Sequence, residues 1–187
     1  MNGKMLLYHT GFLEIKEPDI HYGRKNADFG QGFYLSDKEE FSRRWATEKK
    51  DHDTYINYYE LDLNDLKIKT FERNAAWFDY IYHNRKGYPD VYAEYDLIIG
   101  PIANDTIFNT FGFTTSGFLT QEESLKLLDI GPEYTQIVIK TEKAVNNLAF
   151  LHSVVLTHEE IVSQRKELKK EEEAYQKLFA GEMQKLV

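Results

Sequence analysis

Cysteine is absent from the 187-residue chain, which removes disulfides, thiolate metal sites, redox motifs and cysteine nucleophiles in one step. The remaining metal option is histidine with carboxylates. Positive charge is in deficit, with 23 Lys and Arg against 31 Asp and Glu for a net charge of −8. A chain this acidic has no general pull toward nucleic acid or anionic lipid, so no nucleic-acid partner is expected unless a basic groove is local. No apolar run approaches the ~20 residues that span a bilayer, and Met1-Asn2-Gly3-Lys4-Met5 lacks the long apolar stretch of a signal peptide. A cytoplasmic protein without membrane association is the expectation. Proline is scarce, at 4 residues, whereas 13 Tyr and 12 Phe are present, a balance that favours strands and stacking surfaces over disorder.

Three Ser/Thr-x-x-Glu capping boxes locate helix starts, because each pairs two backbone donors that a helix leaves unsatisfied. Ser36 with Glu39 opens a helix to about Lys50, with Phe41 and Trp45 on its buried face. Thr120 with Glu123 opens a short helix through Leu125, Leu127 and Leu128. Thr157 with Glu160 opens a long closing helix in which Ile161, Leu168 and Tyr175 recur every seven positions. This segment is nearly neutral, with seven acids against six bases from Glu159 onward, so the acidity resides in the body. A surface helix packed along one stripe is favoured over a coiled-coil arm. Strands are expected over Met5–Tyr8, Gly32–Leu35, Ile56–Leu61, Leu97–Ile99, Gln136–Ile139 and Leu151–Leu156, and a further helix over Asn74–Arg85. The mixed order argues for an α+β fold and against a doubly wound dinucleotide fold. Residues 1–157 form one domain on this reading, and 158–187 its C-terminal helix.

Two segments carry chemistry. Leu7-Tyr8-His9-Thr10-Gly11 is a strand that ends in histidine before a turn; alone, such a histidine is usually structural. Asp28-Phe29-Gly30-Gln31-Gly32-Phe33-Tyr34-Leu35-Ser36 places two glycines at the entry of a strand, followed by an aromatic pair. Glycine there permits positive φ and close backbone approach, and Tyr34 offers a flat face to an aromatic ring. A glycine-rich turn into a core strand would look the same.

Together with Gly23-Arg24, these segments resemble the opening motifs of a family of mostly uncharacterised bacterial proteins. That family lies within the ADP-ribosyltransferase superfamily, on the His-Tyr-Glu branch shared by diphtheria toxin and the poly(ADP-ribose) polymerases. The resemblance extends through Gly100-Pro101-Ile102-Ala103-Asn104-Asp105 and Gln136-Ile137-Val138-Ile139-Lys140-Thr141-Glu142, and covers roughly residues 5 to 156. It implies an ADP-ribosyltransferase-like split β-sandwich that binds NAD as substrate. On that resemblance His9 matches the histidine that bonds the adenosine ribose, and Thr10, with Gly11 beside it, the backbone that holds the nicotinamide carboxamide. Tyr34 matches the tyrosine that stacks on the nicotinamide ring, while Gly32 lets the chain pass close to the ligand. Gln136 stands where the superfamily has its catalytic glutamate.

That departure matters, because breaking the nicotinamide–ribose bond builds an oxocarbenium-like cation that a carboxylate stabilises, a contribution on the order of 3 to 4 kcal/mol. A glutamine can still orient a ribose hydroxyl, but it carries no charge. Chain elongation is disfavoured, leaving mono-ADP-ribosyl transfer to a macromolecular acceptor, NAD hydrolysis, or NAD binding without turnover. A toxin or effector with an antitoxin or immunity partner fits the first. Glu133 either supplies the missing carboxylate or is a solvated loop residue. Arg24 either pairs with the NAD pyrophosphate through a bidentate fork or closes a surface salt bridge to Asp19 or Asp28. Asp105 either meets ligand or caps a turn, and the aromatic loop Phe111–Phe118 either covers a ligand or is a packed connection. The six histidines show no i, i+3 or i, i+4 spacing, so a zinc site is not expected. Gly30 and Gly32 lack the third glycine of a Rossmann turn.

Overall fold

The computed structural model describes residues 3–103, 119–128, 130 and 133–186. Asn104, Asp105, the loop Phe111–Phe118 and Gly131-Pro132 lie outside the described residues. Seven strands form one sheet in the order β4-β5-β6-β2-β1-β3-β7. These are β1 (Lys4–Gly11), β2 (Phe33–Ser36), β3 (Tyr55–Asp62), β4 (Ile68–Thr70), β5 (Leu97–Pro101), β6 (Thr135–Ile139) and β7 (Leu148–Val155). The helices are α1 (Glu39–Arg43), α2 (Ala75–Arg85), α3 (Gln121–Leu128), α4 (Glu142–Asn146) and α5 (His158–Leu186). The fold is α+β, with helices flanking the sheet and a long C-terminal helix. Only β4 and β5 run parallel among the strand pairs described.

Strand alternation builds two cores from one sheet, because successive side chains face opposite sides. Leu7, Phe33, Leu35, Tyr59, Leu61, Leu97, Ile137 and Ile139 pack on one face. Phe29, Phe71, Trp77, Phe78, Tyr80, Ile81, Ile98 and Val138 pack on the other, where α2 lies. Asn74 starts α2 by accepting a bond from the Trp77 N–H at 3.1 Å, and the Trp77 indole donates to Pro101 O at 2.9 Å. Burial of each large side chain of this kind is worth about 1.5 to 3 kcal/mol.

The expected split takes a specific form. β1 pairs with β3 along its whole length, and β2 pairs with β6 from Phe33 to Ser36, but β1 meets β2 through the single register pair Tyr8↔Ser36. The two halves of the sheet therefore part just beyond Tyr8, at His9.

Two capping boxes form as expected. Thr120 N–H donates to Glu123 Oε2 at 2.8 Å while Glu123 N–H donates to Thr120 Oγ1, and Thr157 with Glu160 repeats the exchange. The box at Ser36 and Glu39 does not form. Ser36 is held in the ladder with Gln136, its Oγ accepts from Lys38 N–H, and Glu39 turns to Arg43 at 2.8 Å. The helix is also short, ending at Arg43 rather than near Lys50, and Trp45 is 62% exposed rather than buried. The C-terminal α5 buries Ile161 against Ala46, Ile56 and Leu156, and packs against α3. Arg43 reaches Glu160 at 3.2 Å, and Arg44 pairs with Glu171 and Tyr134. Among the described residues, no helix is long and apolar enough to cross a membrane.

Candidate functional site

His9 occupies the point where β1 leaves β2. Its Nδ1 lies 2.8 Å from the backbone carbonyl of Tyr34. A carbonyl only accepts, so Nδ1 carries the proton and, in the neutral ring, Nε2 is left as an acceptor. Burial pulls the His9 pKa below its ordinary 6.5, the Tyr34 carbonyl opposing in part, so the neutral ring dominates near pH 7. The ring rests against Phe33 with centroids 4.7 Å apart. Nε2 points toward Gly11, where an added Cβ would sit only 3.3 Å away. Glycine at 11 thus keeps the accepting nitrogen uncrowded.

Tyr34 is fixed at its hydroxyl end. The O–H donates to Gly30 O at 2.7 Å and accepts from Phe29 N–H at 2.9 Å, which closes the Phe29-Gly30 turn on the ring. Burial, opposed by the bond from Phe29 N–H, drives the phenol well above its ordinary range, so it remains neutral. Its ring stays partly accessible at the edge of the second core.

Register assigns the remaining residues to faces. Tyr8 pairs with Ser36, and Ser36 with Gln136, so these three share one face. Alternation puts Thr10 and Tyr34 on that face too, and His9 on the opposite one with Phe33. The sheet thus brings Thr10, Tyr34 and Gln136 to one side, while His9 joins them through the Tyr34 backbone rather than its ring. Thr10 Oγ1 lies 3.0 Å from Ser42 Oγ of α1. Gln136 is buried, and its Nε2 donates to Pro101 O at 3.4 Å.

Gly32 is close to something other than open space. A Cβ there would fall 2.5 Å from Ile139 O and 2.6 Å from Val138 Cγ1, so the close approach that demands glycine is to β6. The absent side chain therefore has a packing reason within the sheet itself. Gly23 in turn backs onto Gly32, 2.8 Å from its carbonyl oxygen by the same measure, and Gln31 ties down the His21–Gly23 segment through two carbonyls. Arg24 is exposed, and among the described residues neither Asp19 nor Asp28 pairs with it. Asp19 accepts from His21 N–H, and Asp28 is taken by Arg85 at 2.6 Å. The Arg24 charge still acts on the Tyr34 hydroxyl, as the last of the influences on it. Glu133 is exposed.

Sequence reasoning missed the side chains that hold these segments. Asn57 is buried on β3, where its Oδ1 accepts from Ile15 N–H and its Nδ2 donates to Leu13 O, fixing the loop that follows Gly11. Lys140, Asp90, Tyr80 and Asn84 converge under Phe29 and Gly30. Neither set has a local motif, since each is assembled from residues distant in sequence. Two surface cavities, of about 240 and 510 Å³, lie away from His9 and Tyr34: one between α1, Tyr134 and α5, the other between Lys16–Asp19 and α4. The first is lined by Glu40, Arg44 and Tyr134, the residue directly before β6 and two before Gln136. Among the described residues, no three His, Cys, Asp or Glu side chains are grouped as around a metal ion.

No curated protein matches the sequence. A chain of the M. tuberculosis MbcT–MbcA toxin–antitoxin complex resembles the structure with a TM-score of 0.51 at 11% identity, over 88% of this chain and 91% of that one. At such low identity the likeness establishes a shared fold. The model of a family described as a protein of unknown function, DUF3990, matches residues 5–150, and the chain belongs to that family.

Proposed function

We propose that the protein is an NAD-consuming enzyme that transfers a single ADP-ribose to a macromolecular acceptor, and that it acts as a toxin held in check by an antitoxin. The observation that carries the reading is the junction of His9 with Tyr34 at the parting of β1 and β2. There a neutral imidazole offers Nε2 as an acceptor for a ribose hydroxyl, and a tyrosine with a fixed hydroxyl presents its ring for stacking on nicotinamide. Thr10 and Gly11 supply backbone groups at the strand end for the carboxamide, and Gly32 brings Tyr34 into register with β6. Gln136 stands on the Tyr34 face, near the nicotinamide ribose in this reading. Arg24, without a carboxylate partner among the described residues, is the cation for the pyrophosphate. The toxin role rests on the fold shared with a chain of a toxin–antitoxin complex.

The first step breaks the C1′–N bond: nicotinamide leaves with the bonding pair, and the ribosyl cation is captured by an acceptor nucleophile that gives up a proton. Neutral Gln136 can orient the 2′-hydroxyl without neutralising the cation, so turnover is slow in comparison with a glutamate-bearing site. Burial of Gln136 with its amide spent on Pro101 also favours a second reading, an NAD or ADP-ribose-binding module without turnover. Nicotinamide release, followed alongside calorimetric NAD binding, separates the two. Release lost in Tyr34→Ala supports the enzyme; tight binding with no release supports the module.

A further inference from the structure

Lys140 follows β6 directly, and its side chain is only 5% exposed. Its Nζ lies 2.8 Å from Asp90 Oδ2 and donates to Phe29 O at 2.6 Å. The other Asp90 oxygen accepts from Tyr80 O–H and from Tyr92 N–H, both at 2.9 Å. A buried ion pair is a poor source of stability, because desolvating both charges offsets their attraction. Its effect here is placement.

Gly30 sits directly on the pair. With φ of +72°, it would carry a Cβ 2.9 Å from both Asp90 Oδ2 and Lys140 Nζ. The Phe29-Gly30 turn is therefore gripped by two side chains. Lys140 holds Phe29 O, and the Tyr34 hydroxyl holds Phe29 N–H and Gly30 O. Arg85 and Asn84 fix the preceding Asp28 through its carboxylate and carbonyl. Since the Tyr34 hydroxyl has no other described partner for its proton than Gly30 O, the position of the turn sets the tilt of the ring.

We propose that Lys140 and Asp90 are positioning residues for Tyr34: the buried pair fixes the Phe29-Gly30 turn, and through it the aromatic face that binds nicotinamide. The inference rests on the NAD reading for its ligand, but the positioning has a readout of its own. Lys140→Met, Lys140→Arg, Asp90→Asn and the double variant Lys140→Met/Asp90→Asn are made in the full chain, with Lys170→Met on exposed α5 as control. Amide hydrogen exchange without ligand reads the 28–34 segment, and NAD titration with steady-state kinetics reads the site.

In Lys140→Met, exchange at Phe29 and Gly30 rises about tenfold more than in β5 and β6. NAD affinity falls and KM rises by about tenfold, while kcat stays within about twofold. Lys140→Arg recovers part of the loss, and the neutral double variant is less impaired than Lys140→Met, because no lone charge is left buried. Exchange that rises equally throughout the sheet, or local loosening with unchanged NAD affinity, overturns the proposal. Wild-type protein that binds no NAD overturns the ligand assignment, and the exchange pattern then decides by itself whether the pair positions Tyr34.

Discussion

The Nδ1 atom of His9 lies 2.8 Å from the carbonyl oxygen of Tyr34, and this bond ties β1 to β2 just where their ladder stops. A side chain takes over from the backbone at the seam of the sheet. The same bond fixes the tautomer of His9 and leaves Nε2 as the accepting atom.

The first prediction concerns pH. The folded His9 pKa is held below 6.5 by burial, so the unfolded chain binds the proton more readily. The His9 share of stability is complete above about pH 6.5 and is lost as pH falls below that toward the folded value. Thermal unfolding of wild type and His9→Gln between pH 5 and 8 checks this: the wild-type melting temperature should fall more steeply on acidification.

Tyr34→Phe keeps the ring and removes the hydroxyl, leaving Phe29 N–H and Gly30 O without their partner. A loss of about 1 to 2 kcal/mol in urea unfolding is expected, with NAD binding weakened but retained. Tyr34→Ala removes the stacking face as well and should abolish NAD binding in calorimetry.

Glycine substitutions should separate two reasons for glycine in one turn. Gly30→Ala meets a positive φ and two charged atoms at 2.9 Å that can shift, whereas Gly32→Ala meets the Ile139 carbonyl oxygen at 2.5 Å in the backbone of β6. The first should cost about 1 to 3 kcal/mol of stability. Gly32→Ala should cost more and prevent accumulation of soluble protein, which expression and thermal melts would reveal.

Gln136→Glu restores the carboxylate at the strand opening. Placed near Pro101 O, it should lower stability by about 1 to 3 kcal/mol, since a donor is replaced by a second acceptor. Nicotinamide release should nevertheless rise, by on the order of 100-fold, if the cation forms beside it.

The C-terminal helix can be cut at two places. Ile161 is 3% exposed, among Ala46, Ile56 and Leu156, whereas beyond it the helix buries no described residue fully and leaves only Gln164, Leu168, Tyr175, Phe179 and Met183 half-buried. Ending the chain after Ser163 should leave cooperative unfolding intact. Ending it at Thr157, the boundary proposed from sequence, should lower the melting temperature by several degrees.

Much of this architecture is legible in the chain because its signals are local. The β-branched run Ile137-Val138-Ile139, the capping exchange at Thr157 and Glu160, and the shared face of Trp77, Tyr80 and Ile81 all depend on near neighbours. The Ser36–Glu39 box misleads for a tertiary reason: β2 runs on through Ser36 in its pairing with β6, so the helix starts later, with Lys38 at its N-cap, and Glu39 finds Arg43 instead. β4 and α4 are too short for their periodicity to register. At the site, His9 and Tyr34 are marked by motif, but that His9 holds the Tyr34 backbone depends on where two strands part. The Lys140–Asp90 pair is invisible in sequence because 50 residues separate its members, and the motif that contains Lys140 does not name its partner.

The central claim is that the His9–Tyr34 junction binds NAD, and calorimetric titration of NAD into wild type, His9→Ala and Tyr34→Ala tests it most directly. The account predicts saturable binding by wild type that is lost in both variants while their circular dichroism stays native. Folded wild type that binds no NAD, or variants that bind as tightly as wild type, would contradict it.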